Sequence, residues 1–166
     1  MRPAVTNAAP ASPAGEVRVN LTMPITRFGF GPFSVDPVEQ LIGAKLADLL
    51  ESLMTGPVYR RPSAAGPAVE VYPLALPDGE GATVPLGQFG EIGFAAERGL
   101  LVLTVPWGMA SWLRQKFGDA LVRGPQEGLS LDGTARVATA WVRLRPGMRA
   151  SFALGALGEV GVEAAR

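Results

Sequence analysis

The sequence predicts an α+β fold, a largely antiparallel sheet of about six to seven strands with two amphipathic helices packed on it. Three observations carry this. Apolar residues alternate with polar ones in several short runs, beginning with Val17, Val19, Leu21 and Met23 against Arg18, Asn20 and Thr22. Two longer stretches repeat apolar residues at three- and four-residue steps. Gly and Pro, 21 and 15 residues in all, punctuate the chain into short elements.

Taken in order, residues 1–16 are an Ala/Pro-rich tail with few large apolar groups, expected to be disordered, and 17–166 form the single domain. Val17 to Met23 has the period of two of a half-buried strand, and Pro24 favours an edge or a bend there. Phe28, Phe30 and Phe33 follow in a glycine-spaced segment. The first helix starts with Asp36 as N-cap, Pro37 in the first turn and Glu39 closing a capping box. Gly56-Pro57 stops it. Its apolar stripe includes Leu41, Leu46, Leu50 and Leu53, with Gln40, Asp48, Glu51 and Ser52 opposite.

Residues 56–68, with Pro57, Pro62 and Pro67, read as a loop. Val69 to Leu76 reads as a strand that Pro73 pushes toward an edge. Pro77 to Gly81 is a turn. Glu91 to Glu97 and Leu100 to Val105 form a hairpin about Arg98-Gly99, and the unbroken apolar second arm predicts a central strand buried on both faces. Pro106 opens the second helix, whose stripe runs through Met109, Trp112, Leu113, Phe117 and Ala120, with Gly124-Pro125 as its stop. Thr134 to Leu144 and Met148 to Leu154 flank Arg145-Pro146-Gly147 as a further hairpin, and Gly158 to Glu163 is a last strand. No fine-grained repeat stands out. A coarse one does: strands, helix, Gly-Pro stop, strands again, a pattern that two similar halves or chance would give.

Composition limits the chemistry. An apolar fraction of 48% with 18% charged residues marks a folded chain rather than a disordered one. Fifteen basic and 15 acidic residues cancel, without the basic excess of a nucleic-acid binder. There is no Cys and no His, so disulfides, thiolate chemistry, the common zinc ligands and the usual general base are absent from the sequence. Neither of the main phosphate-loop patterns occurs. No cofactor and no metal site is therefore expected. No apolar run approaches the roughly 18 residues of a membrane span, and no signal-peptide pattern opens the sequence, which predicts a cytoplasmic protein. Asp78, Glu80 and Glu91 lie near glycines but lack calcium-loop spacing.

Two groups remain as candidates. Phe28, Phe30, Leu46, Leu50, Leu53, Trp107, Trp112 and Trp141 could form an apolar interface or ligand wall. Arg143, Arg145 and Arg149, with Arg136 on the preceding strand, could form an anion contact at a hairpin tip. The functional expectation is a non-enzymatic structural or interaction protein that self-associates or assembles with a protein partner. The alternatives are a carrier of an apolar small molecule or lipid, held between the long helix and the sheet, and an enzyme using carboxylates, Tyr59, Tyr72, Lys45 or Lys116.

Overall fold

The computed structural model describes residues 15–24, 48–63, 66–85, 90–130, 133–153 and 158–165. Ten strands are present among them: β1 (Val17–Pro24), β2 (Tyr59–Ser63), β3 (Gly66–Leu76), β4 (Gly81–Pro85), β5 (Glu91–Glu97), β6 (Leu100–Pro106), β7 (Leu121–Leu129), β8 (Arg136–Val142), β9 (Arg149–Ala153) and β10 (Glu159–Ala164). A helical segment α1 covers 48–53, and α2 spans Ala110–Phe117 between two short 3-10 turns. The strands make two five-stranded sheets, entirely antiparallel, in the orders β9-β10-β1-β3-β2 and β4-β5-β6-β8-β7. The expected antiparallel character holds. The count does not: the structure has ten strands in two sheets, where one sheet of six to seven was expected.

The inner faces of both sheets close on one core. Val17, Val19, Leu21 and Met23 of β1 meet Leu101, Leu103 and Val105 of β6 in a single buried cluster, with Leu50 of α1 and Leu113 and Phe117 of α2 at its margins. Burial alternates along β5 and β6 in step with the pleat. That alternation corrects the expectation for β6. The strand is central in its sheet, yet only Leu101, Leu103 and Val105 are buried, while Leu100, Val102 and Thr104 face outward and are half-buried. Its unbroken apolar run reflects an apolar outer face, not burial on both sides.

Three further expectations change. Residues 56–68 hold β2 and the start of β3, because Tyr59, Arg60 and Arg61 pair with Val71, Glu70 and Val69 at the sheet edge. Gly124-Pro125 does not stop α2. The helix ends at Gly118, which takes a positive φ of 46°, and Gly124-Pro125 lies inside β7 where the register to β8 slips. The segments about Arg145-Pro146-Gly147 turn as expected, with Met148 N donating to Arg145 O, but they are not a hairpin. β8 belongs to the second sheet and β9 to the first, so the turn carries the chain from one sheet to the other. The Arg98-Gly99 turn is as expected: both residues have positive φ, 53° and 79°, the conformation a two-residue hairpin loop requires. The edge position that Pro73 suggested is corrected as well: β3 lies between β1 and β2, and β1 is central despite Pro24. The Pro73 carbonyl accepts from Thr55 N, so the Pro73 nitrogen, which has no N–H, points away from β1.

The two strand orders are the same order. Each sheet is built as hairpin, strand, helix, strand, strand, and the residues match as well. β1, α1, β2, β3, β4 and β5 correspond in sequence order to β6, α2, β7, β8, β9 and β10, so the described elements of the first half and those of the second are two copies of one arrangement. The registers coincide: Thr83 opposite Gly93 and Val84 opposite Ile92 correspond to Ser151 opposite Gly161 and Phe152 opposite Val160. Gly93 opposite Thr104 corresponds to Gly161 opposite Thr22. Once the strands set the alignment, the sequence repeat is plain. Gly90-Glu91-Ile92-Gly93 returns as Gly158-Glu159-Val160-Gly161, Leu86-Gly87 as Leu154-Gly155, and Leu103-Thr104-Val105-Pro106 echoes Leu21-Thr22-Met23-Pro24. The copies are interlocked. Strands β4 and β5 of the first copy complete the sheet of the second, and β9 and β10 of the second complete the sheet of the first.

Candidate functional site

The expected apolar wall is not one surface. Leu50 and Leu53 belong to the core, 1% and 9% exposed. Phe28, Phe30 and Leu46 lie outside the described residues. Trp107 stands in the turn after β6, half-buried, with the Arg136 guanidinium 5.0 Å from its ring centre. Trp112 packs edge-on against Phe117 and Phe152, with centroids 6.3 and 6.1 Å away, and its indole N–H donates to Ser151 O at 3.3 Å. These contacts tie α2 of one copy to β9 in the opposite sheet. Trp141 is elsewhere, on the outer face of the second sheet.

That outer face is the most distinctive surface among the described residues. The pleat turns Gly93 and Ala95 of β5, Leu100, Val102 and Thr104 of β6, and Thr139 and Trp141 of β8 away from the core, all half-buried. Thr104 and Thr139 share a hydroxyl hydrogen bond of 3.1 Å at its centre. At one margin Arg123 of β7 lies 3.7 Å over the Trp141 ring. Glu97 Oε2 accepts from Trp141 Nε1 at 3.0 Å and lies 3.8 Å from Arg123. The cation over the ring and the carboxylate at its edge together fix the indole in place.

The outer face of the first sheet has a different character. Thr22, Val69 and Val71 also point away from the core, yet they are 0–1% exposed. Beside them Arg61, Arg149, Glu159 and Glu163 form an ion-paired group. Arg61 pairs with Glu163, and Arg149 lies 3.6 Å from Glu159 and 3.8 Å from Glu163. Hydrogen bonding to Glu163 holds the Arg61 guanidinium above its ordinary range, against the opposing effect of burial. Sequence reasoning missed this group. Its signal is the period of two that puts Glu159, Gly161 and Glu163 on one face of the last strand.

The arginine tip also divides. Arg143 and Arg145 are exposed on the connection between the sheets, whereas Arg149 stands among carboxylates and Arg136 pairs with Glu127 at the far end of β8. Among the candidate catalytic groups, Tyr72 is 8% exposed and donates to Glu70 at 3.1 Å. Burial, reinforced by the Glu70 charge, pushes its phenol well above the usual range, so it remains a neutral donor. Tyr59 is exposed at the sheet edge, and Lys45 lies outside the described residues. Among the described residues no three Asp or Glu side chains gather as a metal site would need. No helix of the described residues is long and apolar enough to cross a membrane.

Between the sheets lies a small apolar void of about 20 Å³ with Leu21, Leu103, Val105, Trp112, Phe117 and Val160 in its wall. No protein-family model matches the chain, no curated protein matches it, and no solved structure matches it.

Proposed function

We propose that this chain is a non-enzymatic assembly module, acting by protein–protein contact with itself or a protein partner. The observation that carries the reading is the outer face of the second sheet. Val102, Leu100 and Trp141 lie on it together, half-buried, about a centre of small residues, Gly93, Thr104 and Thr139. Apolar sheet surface with an aromatic anchor is what protein interfaces use.

Two features favour assembly over the alternatives. A carrier needs a chamber, and the space between the sheets, about 20 Å³, is far below the roughly 300–1,000 Å³ of ligand pockets. Among the described residues Glu159, Glu163, Glu97 and Glu127 are engaged by arginines, and no three acidic side chains gather. Native mass spectrometry of the freshly purified protein tests the proposal. Multiples of the 17.3 kDa chain mass are expected. A monomer carrying a small molecule that solvent extraction removes would overturn it in favour of carriage.

A further inference from the structure

We propose that β9 and β10 exchange between two copies of this chain, so that each molecule's first sheet is completed by the other's strand pair. This rests on the assembly reading and names its partner, a second copy, and the contact that joins them.

The architecture supplies the first argument. Each unit already gives two strands away. β4 and β5 cross into the second sheet through residues 77–80, and β9 and β10 cross into the first through residues 143–148. The first sheet of a second molecule is chemically the same site. The second crossing can therefore deliver β9 and β10 there without any new surface. β4 and β5 lack this freedom, because β5 runs through the tight Arg98-Gly99 turn into β6, its neighbour in the same sheet.

The crossing itself supplies the second argument. Arg143, Arg145, Pro146 and Gly147 are exposed. Arg143 N donates to Ala120 O, a bond that stays with the second unit, and Ala164 N donates to Met148 O, a bond that travels with the strand pair. Among the described residues only the bond from Met148 N to Arg145 O closes the turn. Opening the crossing gives up that bond and little else. Extended at about 3.3 Å per residue, the crossing reaches roughly 20 Å, toward a neighbouring molecule.

The contact is a core rather than a patch of surface. Ala150, Val160 and Val162 are buried, Phe152 packs against Trp112, and Glu163 pairs with Arg61. On exchange each of these contacts passes from within a chain to between chains. The interface is then a domain core divided between two molecules, as in obligate dimers. Closed and exchanged forms share almost all their contacts, so protein concentration decides between them. Interconversion requires β10 to leave β1, so the exchanged dimer persists once formed.

A disulfide across β1 and β10 tests this. Ala165 N donates to Arg18 O at 3.1 Å, which sets the two residues opposite one another. The Cα atoms of such a pair lie about 5.5 Å apart, a separation that suits a disulfide. The chain has no cysteine, so Arg18→Cys/Ala165→Cys carries the only thiols. The reduced full chain is held at millimolar concentration in urea just below its unfolding midpoint, then returned to buffer. Size fractionation with light scattering should give a monomer and a dimer that persists on dilution to micromolar. After oxidation, a denaturing gel should show linked pairs from the dimer fraction and single chains from the monomer fraction. A dimer fraction that runs as single chains with its thiols consumed would overturn the exchange and leave the assembly reading standing. Absence of any dimer would overturn both the exchange and self-association, leaving assembly with a different protein. Should the double variant fail to fold, deletion of Pro146 and Gly147 decides. A crossing too short to turn back should raise the share of dimer, and an unchanged share would overturn the exchange.

Discussion

Leu21 and Leu103 occupy the same place in the two units, are 1% and 2% exposed, and face one void from opposite sheets. Truncating either to alanine removes the side chain's transfer free energy and enlarges that void. Core leucine truncations cost about 3–5 kcal/mol, of which roughly 24 cal/mol accrues per Å³ of cavity. The void already present, about 20 Å³, corresponds on that scale to about 0.5 kcal/mol. Each single variant should therefore lose about 3 kcal/mol, and the two losses should agree within about 1 kcal/mol. The double variant should depart from the sum by about 0.5–1.5 kcal/mol, because both truncations open onto one void. Urea unfolding, followed by tryptophan fluorescence at constant m, gives all three values. Additivity within about 0.3 kcal/mol would refute the shared void. A large inequality between the singles would refute the equivalence of the units.

Equivalent glycines should behave differently. A Cβ at Gly161 would stand 2.6 Å from Ala150 O and 2.9 Å from Ser151 Cα, whereas at Gly93 its nearest neighbour is Thr104 Cβ at 3.5 Å. Gly161→Ala should cost about 1–3 kcal/mol, and Gly93→Ala should be neutral or gain up to about 1 kcal/mol in the same unfolding assay. Tyr72 makes stability depend on alkaline pH. Its folded pKa lies above the unfolded value of about 10, so its contribution is complete below that pH and is lost as pH rises toward the folded value. The urea midpoint of the wild type should fall above about pH 10, and Tyr72→Phe should flatten that fall. Leu50→Asp should abolish cooperative unfolding, read by circular dichroism, since it places a carboxylate in the core; a variant that still folds would move that face of α1 out of the core.

Legibility in the sequence followed position in the sheet. The seven strands read correctly as strands include every interior one, where apolar alternation is strongest. The three that were missed, β2, β4 and β7, are all edges. Tyr59–Ser63 contains Arg60, Arg61 and Pro62, Gly81–Pro85 is bounded by Gly and Pro, and β7 carries Gly124-Pro125. Those are the residues that keep an open edge from pairing with a neighbour, and in one dimension they look like turns. The division into two sheets was illegible for another reason: Pro77 to Gly81 and Arg145 to Arg149 are ordinary turns locally, and nothing local says that the chain leaves one sheet there for the other. Of the candidate surface residues, Trp141 was singled out, but its partners Arg123 and Glu97 were not. They reach it through β-pairing and turn geometry across distant parts of the chain. One stretch of the repeat is legible as a continuous match, Leu86-Gly87-Gln88-Phe89-Gly90-Glu91-Ile92-Gly93 against Leu154-Gly155-Ala156-Leu157-Gly158-Glu159-Val160-Gly161, but the spacing between copies differs at β1 and β6, so no single offset aligns the rest.

The interlocked pair of units frees the molecule from a constraint. Two identical chains joined by a twofold must carry the same residues on both outer faces, whatever either face is for. Joined end to end in one chain, the copies can drift apart residue by residue. Val71 answers to Thr139, Pro73 to Trp141 and Glu163 to Ala95. One sheet thus carries a buried, charge-stapled outer face and its twin a half-buried, aromatic one, over registers that match strand for strand.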